Sequence, residues 1–411
     1  MGIDVFYPLD RLDLLPEAAL STFFHEYIHF LQDITTTYGL INACIVVTKM
    51  KFANNHILKL PGNEFKVPIE FRSDPITELN YKLQEAYLGS DDISIRVLGI
   101  KDIRKEPSRV YLPEPVNKHL PVIKVYYEDG GGRPKSFEFG SLHIMETMCH
   151  IGQKVFNAAV THNDVPYRTA ELVANFIYPA IAQNSLFVFA LCEVCLMVHH
   201  PADAFYEMLG TMKSTSFVPK SEAEIYDFVI ANIREAKTGR TIRDVYDHQV
   251  DAAIEELGGY FTTEAFNNEK TWVSHILNEA RKWRSVNPML ILGLLKQPEI
   301  FSVQLLHLLH VLGTPLMQNL DGECWYSKPV ELQDIDIHPD VLAAVFEIYQ
   351  LLMDGKKGCD LKSFCKKGTR GIVVSEKCDE APWDRVQDLP ICPFAFLWGT
   401  WKLSGKTPLF N

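Results

Sequence analysis

The sequence predicts an α+β protein that is mostly α-helical and carries a small sheet. Three observations lead there. From residue 141 onward, apolar residues recur at helical spacing in one segment after another. Between about 64 and 139 the pattern changes to short apolar runs broken by turn residues. After 353 the periodicity is lost and the chain becomes rich in Gly, Lys, Cys and Trp.

Taken in order, residues 3–8 read as a short strand leading into a helix. Leu15-Pro16 and Glu17 mark that helix's start, because Pro suits the first turn and a carboxylate suits the positive end of the helix dipole. Leu20, Phe23, Phe24, Tyr27, Ile28 and Leu31 form one apolar stripe, and Gly39 is the expected terminator. The run 41–50 fits helix or strand. Strands are expected at 64–71, 93–100 and 121–127. The last of these meets Asp129-Gly130-Gly131-Gly132-Arg133-Pro134, a turn by composition, and 135–139 returns as the second arm of a hairpin. Helices follow at 141–156, at 166–178 opened by Pro166, and at 184–199 ended by Pro201. Further helices are expected at 221–236 behind a Ser221-x-x-Glu224 capping box, and at 241–257, 264–284, 299–312 and 340–353.

The first helix contains His25-Glu26-Tyr27-Ile28-His29. Residues four apart share a helix face, so His25 and His29 can present two imidazoles to one metal ion. Glu26 lies one step round, within reach of a water on that metal. Two nitrogen ligands, an open position and an adjacent base are what zinc-dependent hydrolysis requires. A third protein ligand is needed. Glu146, on a helix among Leu142, Ile144, Met145 and Met148, is the first choice, because a carboxylate in apolar company needs a partner. Glu171, with Asn175 four residues on, is the alternative, and His143 and His150 are weaker candidates that read as helix-face histidines. Tyr167 and Tyr178 are candidates for stabilising an oxyanion.

This pentapeptide resembles the signature of the zincin metallopeptidases. The resemblance rests on one helix, with weaker support to about residue 180. It implies zinc on His25 and His29, with Glu26 as general base. The metzincin extension would need Gly and His where Gln32 and Thr35 stand. The gluzincin branch, with a downstream helical Glu as third ligand, is closer. On this basis 1–200 is expected to be a zincin-like metal-binding domain, 201–353 a helical region and 354–411 a Cys- and Trp-containing C-terminal module. By analogy the hairpin would line the substrate cleft beside the metal.

Composition bounds the function. At 47% hydrophobic residues the chain can bury a large core, and a net charge of −12 argues against a nucleic-acid surface. The N-terminus has no basic stretch followed by an apolar one, so no secretion signal is expected, and no run is long enough for a membrane span. Nine cysteines without such a signal point to free thiols or metal ligands in a reducing cytoplasm. Cys192 and Cys195 fall in an apolar stretch and read as core. Cys359, Cys365, Cys378 and Cys392 fall in a small irregular segment, where a structural zinc is the usual remedy for too small a core. The expected function is zinc-dependent hydrolysis of a cytoplasmic protein or peptide, with a regulatory protein as a candidate partner. A catalytically silent zincin-like binding protein and a non-peptidase zinc hydrolase are the alternatives.

Overall fold

The computed structural model describes residues 11–70, 74–91, 94–114, 116–233, 239–260, 263–297, 299–321, 323–367 and 371–410. The strand expected at 3–8 lies outside them. The molecule is mostly helical with small sheets.

Helix α1 (Glu17–Thr35) carries the His-Glu-x-x-His motif and ends before Gly39. Thr36 caps a second helix, α2 (Thr37–Lys59), by accepting a hydrogen bond from Gly39 N. The two helices meet at 78°. Gly39 is required at this corner, because a Cβ there would lie 2.4 Å from the carbonyl oxygen of Gln32. No single described helix is long and apolar enough to cross a membrane.

Strand β1 (Glu64–Val67) and helix α3 (Pro75–Leu88) precede an antiparallel sheet of β2 (Gly99–Leu112), β3 (Lys118–Glu128) and β4 (Pro134–Phe139), with β3 in the middle. The expected turn joins β3 to β4, with Gly132 at a positive φ of 74°. Strand β4 runs through Gly140 directly into α4 (Ser141–Phe156), which lies against α1.

The remaining chain is helical: α5 (Thr169–Ile177), α6 (Pro179–Ala182), α7 (Ser185–Cys195), α8 (Pro201–Ser214), α9 (Glu222–Asn232), α10 (Ile242–Tyr260), α11 (Asn267–Val286), α12 (Leu290–Leu295) and α13 (Val303–Leu312). A two-residue hairpin of β5 (Met317–Gln318) and β6 (Cys324–Trp325) leads to α14 (Pro339–Asp354). The tail adds α15 (Lys362–Lys367), α16 (Lys377–Glu380), α17 (Pro393–Thr400) and β7 (Thr407–Phe410).

Two local expectations are corrected. Pro201 does not end the helix before it; α7 stops at Cys195 and Pro201 opens α8, the position where its missing N–H costs nothing. Pro166 does not open α5, which begins at Thr169.

Two hydrophobic cores organise these elements. The first runs from Leu12 to Ile337 and centres on Phe23, Phe24, Tyr27 and Ile28 of α1, all 0–1% exposed. Helices α10 and α11 contribute to it, so the 201–353 region packs onto the motif helix. The second core joins the distal half of α2, β1, α14 and the tail, around Trp398, Phe394 and Leu351. β7 pairs in parallel with β1. Residues of the 354–411 segment share this core with residues 47–69 and α14.

The approach of α4 to α1 depends on Gly152. A Cβ there would lie 2.5 Å from Ile28 Cδ1, 3.3 Å from a Leu295 methyl and 3.4 Å from the Phe24 ring. Gly152→Ala is expected to lose about 1–3 kcal/mol through overpacking, read by chemical denaturation. Adding Ile28→Val, which removes the obstructing Cδ1, is expected to recover part of that loss. Wild-type stability in Gly152→Ala would show that the contact is not tight.

Candidate metal centre

The helical repeat places His25 and His29 on one face of α1, and their ring centroids are 5.1 Å apart. Each ring is oriented through its Nδ1. His25 Nδ1 lies 3.2 Å from Gln153 Oε1 on α4, and His29 Nδ1 lies 2.9 Å from Gln32 Oε1. The Gln32 amide is itself fixed, because its Nε2 donates to the Met145 carbonyl at 3.1 Å. Its oxygen must therefore accept, so His29 Nδ1 carries a proton and Nε2 is the nitrogen left to face Glu146. Metal-bound histidines are oriented this way by an acceptor at the other ring nitrogen.

Both Nε2 atoms face Glu146 of α4. His25 Nε2 is 3.4 Å from Oε2 and His29 Nε2 is 3.6 Å from Oε1. A charge-assisted hydrogen bond between such groups would close to about 2.7–2.9 Å. Zinc with ligands at about 2.0–2.1 Å in a tetrahedron spaces neighbouring donors by about 3.3–3.4 Å. The observed separations match the tetrahedral edge better than the hydrogen bond. Glu146 Oε2 is moreover buried without a hydrogen-bond partner, a costly state for a carboxylate oxygen unless a cation satisfies it. Two imidazoles and a carboxylate are donors of the kind that zinc takes.

Electrostatics agree with close coupling. Burial opposes ionisation of Glu146, but the two imidazoles outweigh it and hold its carboxyl down at about 2. Burial likewise opposes charge on His29, but Cys149 and Glu146 outweigh it and raise its pKa well above the usual value. A cation at this point would displace the proton from His29.

Cys149 was not foreseen. One ligand atom each from His25, His29 and Cys149 lies within 4.8 Å of the others. The Cys149 sulfur, however, stands 3.5 Å from His29 Nδ1, the side of the ring that faces Gln32. Glu146 faces the Nε2 atoms of both rings, so it is the better third donor. The clue to Cys149 was its i+3 spacing from Glu146 on one helix.

Two further groups border the site from the 157–168 segment. His162 packs on Tyr167 with centroids 4.2 Å apart, and the two rings lie 6.0 and 6.2 Å from that of His25. His150 Nδ1 lies 3.0 Å from His162 Nδ1, and burial pushes His150 down to about 3, so it is neutral at pH 7. This segment is held by the run-in to β2: Ile95 and Val165 exchange backbone hydrogen bonds, and Asp164 accepts from Val97 N. The tie between sheet and site thus comes from residues 95–97, where the β3–β4 hairpin had been expected. The hairpin acts indirectly, by packing Phe137 and Phe139 around His143 at the start of α4.

The other candidates are engaged elsewhere. Glu171 lies 3.5 Å from Arg168 Nε. Tyr178 donates to the Phe217 carbonyl at 2.8 Å. His143 is fully buried and accepts from Gly140 N. Cys192 and Cys195 are buried in the first core. Glu26 is half-buried beside His25; burial raises the pKa of Cys149 and of Tyr167, and the Glu26 charge adds to both shifts. Comparison with protein-family models, with curated proteins and with solved structures finds no match.

Proposed function

We propose that the protein is a zinc-dependent metallopeptidase of the zincin type, acting on a protein or peptide in the cytoplasm. The observation that carries this reading is that His25 Nε2 and His29 Nε2 each face one oxygen of the Glu146 carboxylate, at 3.4 and 3.6 Å, with both Nδ1 atoms already occupied. The nine free cysteines fit a reducing compartment.

His25, His29 and Glu146 would hold the ion. Zinc in such a site supplies a Lewis acid and a bound water acidic enough to react at neutral pH. Glu26 would accept a proton at its carboxylate from the attacking water and return it to the leaving amine. Tyr167 and His162, at the edge of the site, are placed to donate to the developing oxyanion. Gln153 and Gln32 keep the two imidazoles in the binding tautomer.

A second reading, a metal-holding protein without turnover, is favoured by how closed the site is. The side chains of His25, His29 and Glu146 are only 10%, 24% and 17% exposed. A cavity of about 640 Å³ elsewhere, near His338 and Phe364, contains none of them. Under the enzyme reading, this closure calls for an opening motion or an activating protein partner.

Elemental analysis of zinc tests the site. The double variant His25→Ala/His29→Ala is expected to lose one equivalent relative to wild type. Glu146→Gln should weaken zinc binding by at least about 10–100-fold, while Glu171→Gln should not. Equal zinc in wild type and the double variant would remove the basis of the proposal.

A further inference from the structure

The tail contains a second cluster of metal-ligating side chains that the α1 site does not use. Cys359 follows α14, Cys365 lies in α15, Cys378 lies in α16 and Cys392 precedes α17. All four are buried, at 5–8% exposure. All four line one cavity of about 10 Å³, room for about one small ion or water. The elements that carry them are too short to be stable alone: α15, α16 and α17 have 6, 4 and 8 residues.

The surroundings of the sulfurs separate a ligand cluster from ordinary core packing. Packed thiols need only apolar neighbours, whereas thiolates collect donors. Burial pushes the Cys359 and Cys392 thiols up, and the backbone N–H groups of Leu361 at Cys359 and of Ala395 and Phe394 at Cys392 work against it. Arg385 Nη1 donates to Cys378 Sγ at 2.7 Å, and the guanidinium is itself buried. Cys359 N donates to the Cys378 carbonyl at 2.8 Å, which brings two of the four strands of chain together.

We propose that Cys359, Cys365, Cys378 and Cys392 form a structural site for one zinc-type cation, which fastens the 354–411 segment to the second core. The site is independent of the α1 centre in residues and in role. Among the described residues no three of these sulfurs stand within 4.8 Å of one another. Binding therefore draws them in to about 3.8 Å, the edge of a tetrahedron with zinc–sulfur bonds of about 2.3 Å. Each thiol gives up its proton to solvent as the ion binds, and Arg385 offsets part of the resulting negative charge.

The test uses the full chain carrying His25→Ala/His29→Ala, so that the α1 centre cannot contribute. One equivalent of zinc is expected to remain, and Cys365→Ser/Cys392→Ser in that background should remove it. Cobalt in place of zinc is expected to give an intense sulfur-to-metal charge-transfer band. A chain that is folded by circular dichroism and carries no zinc, or that binds cobalt without that band, overturns the proposal. Should the Cys variants fail to fold, thiol counting on the wild-type chain decides. Four additional thiols should become reactive when a chelator strips the metal under native conditions, and unchanged reactivity refutes the site. These readouts follow the Cys site alone, so they stand whether or not the α1 centre binds metal or catalyses.

Discussion

Glu26→Gln is expected to reduce peptide hydrolysis by about 10²–10⁴-fold, the range for loss of a general base, and to leave zinc content unchanged. The substitution keeps the size of the side chain and removes its capacity to accept a proton. Glu26 sits beside His25 on α1, but it is His25 and His29 that turn their Nε2 atoms toward Glu146, so Glu26 is not needed to hold the ion. Its half-buried position and the equal size of the amide keep the expected stability change within about 0.5 kcal/mol. The measurement is a comparison of wild type and variant on a cytosolic extract, with new peptide termini read by mass spectrometry. Identical termini at identical rates would show that Glu26 is not the base. Tightly held zinc in both, with no new termini from wild type even after addition of the same extract from which partners can be recruited, would favour the metal-holding reading suggested by the closed site.

Much of the architecture is legible in the sequence because local signals agree with each other. Ser221 accepts from Glu224 N, as the capping pattern suggests, and Asn184 caps α7 in the same way. The Gly-rich turn after Glu128 joins two strands. The signals fail where one residue serves two uses. Pro201 reads equally as a stop or as a first helical residue, and only the fold decides. Gly39 looks like a terminator, yet it lies inside α2, where its missing side chain permits the 78° corner. In the candidate centre, His25, Glu26 and His29 are visible because they share one helix. The pairing of Glu146 with them is tertiary, set by Gly152 and the hairpin that feeds α4. Cys149 is marked only by its spacing from Glu146 on one helix, and His162 and Gln153 carry no local mark of their neighbours. Gln32 illustrates the point best. By sequence it is only a departure from the metzincin pattern; in the fold its amide, held by the Met145 carbonyl, fixes the tautomer of His29.

Glu193→Ala is expected to destabilise the protein by about 3–5 kcal/mol, the cost of leaving a buried partner charge uncompensated. Glu193 is the single carboxylate in the apolar stretch of α7 and is 1% exposed. It pairs with Arg284 of α11, 5% exposed, and also accepts from the backbone N–H groups of Ile291 and Leu292 at 2.9 Å each, at the start of α12. Arg284 donates in turn to the Thr35 carbonyl at 2.9 Å, to Thr35 Oγ1 at 3.0 Å and to the Pro288 carbonyl at 2.8 Å. The pair thus satisfies the last turn of the motif helix and the first turn of α12 together, four elements joined by two side chains. Arg284→Met should cost a similar amount, since it strands Glu193. The double variant Glu193→Leu/Arg284→Met removes both charges and is expected to regain part of the loss, because the remaining penalty is only the unpaired backbone groups at the two helix ends. Urea denaturation of the four proteins measures the coupling directly. Additive losses, or a single-variant loss below about 1 kcal/mol, would mean that water or rearranged backbone satisfies these groups and that α1 is held by its apolar stripe alone. Non-additive losses with retained zinc in the double variant would place the ion pair in the anchoring of α1 and leave the chemistry to the residues about two to three turns nearer its N-terminus.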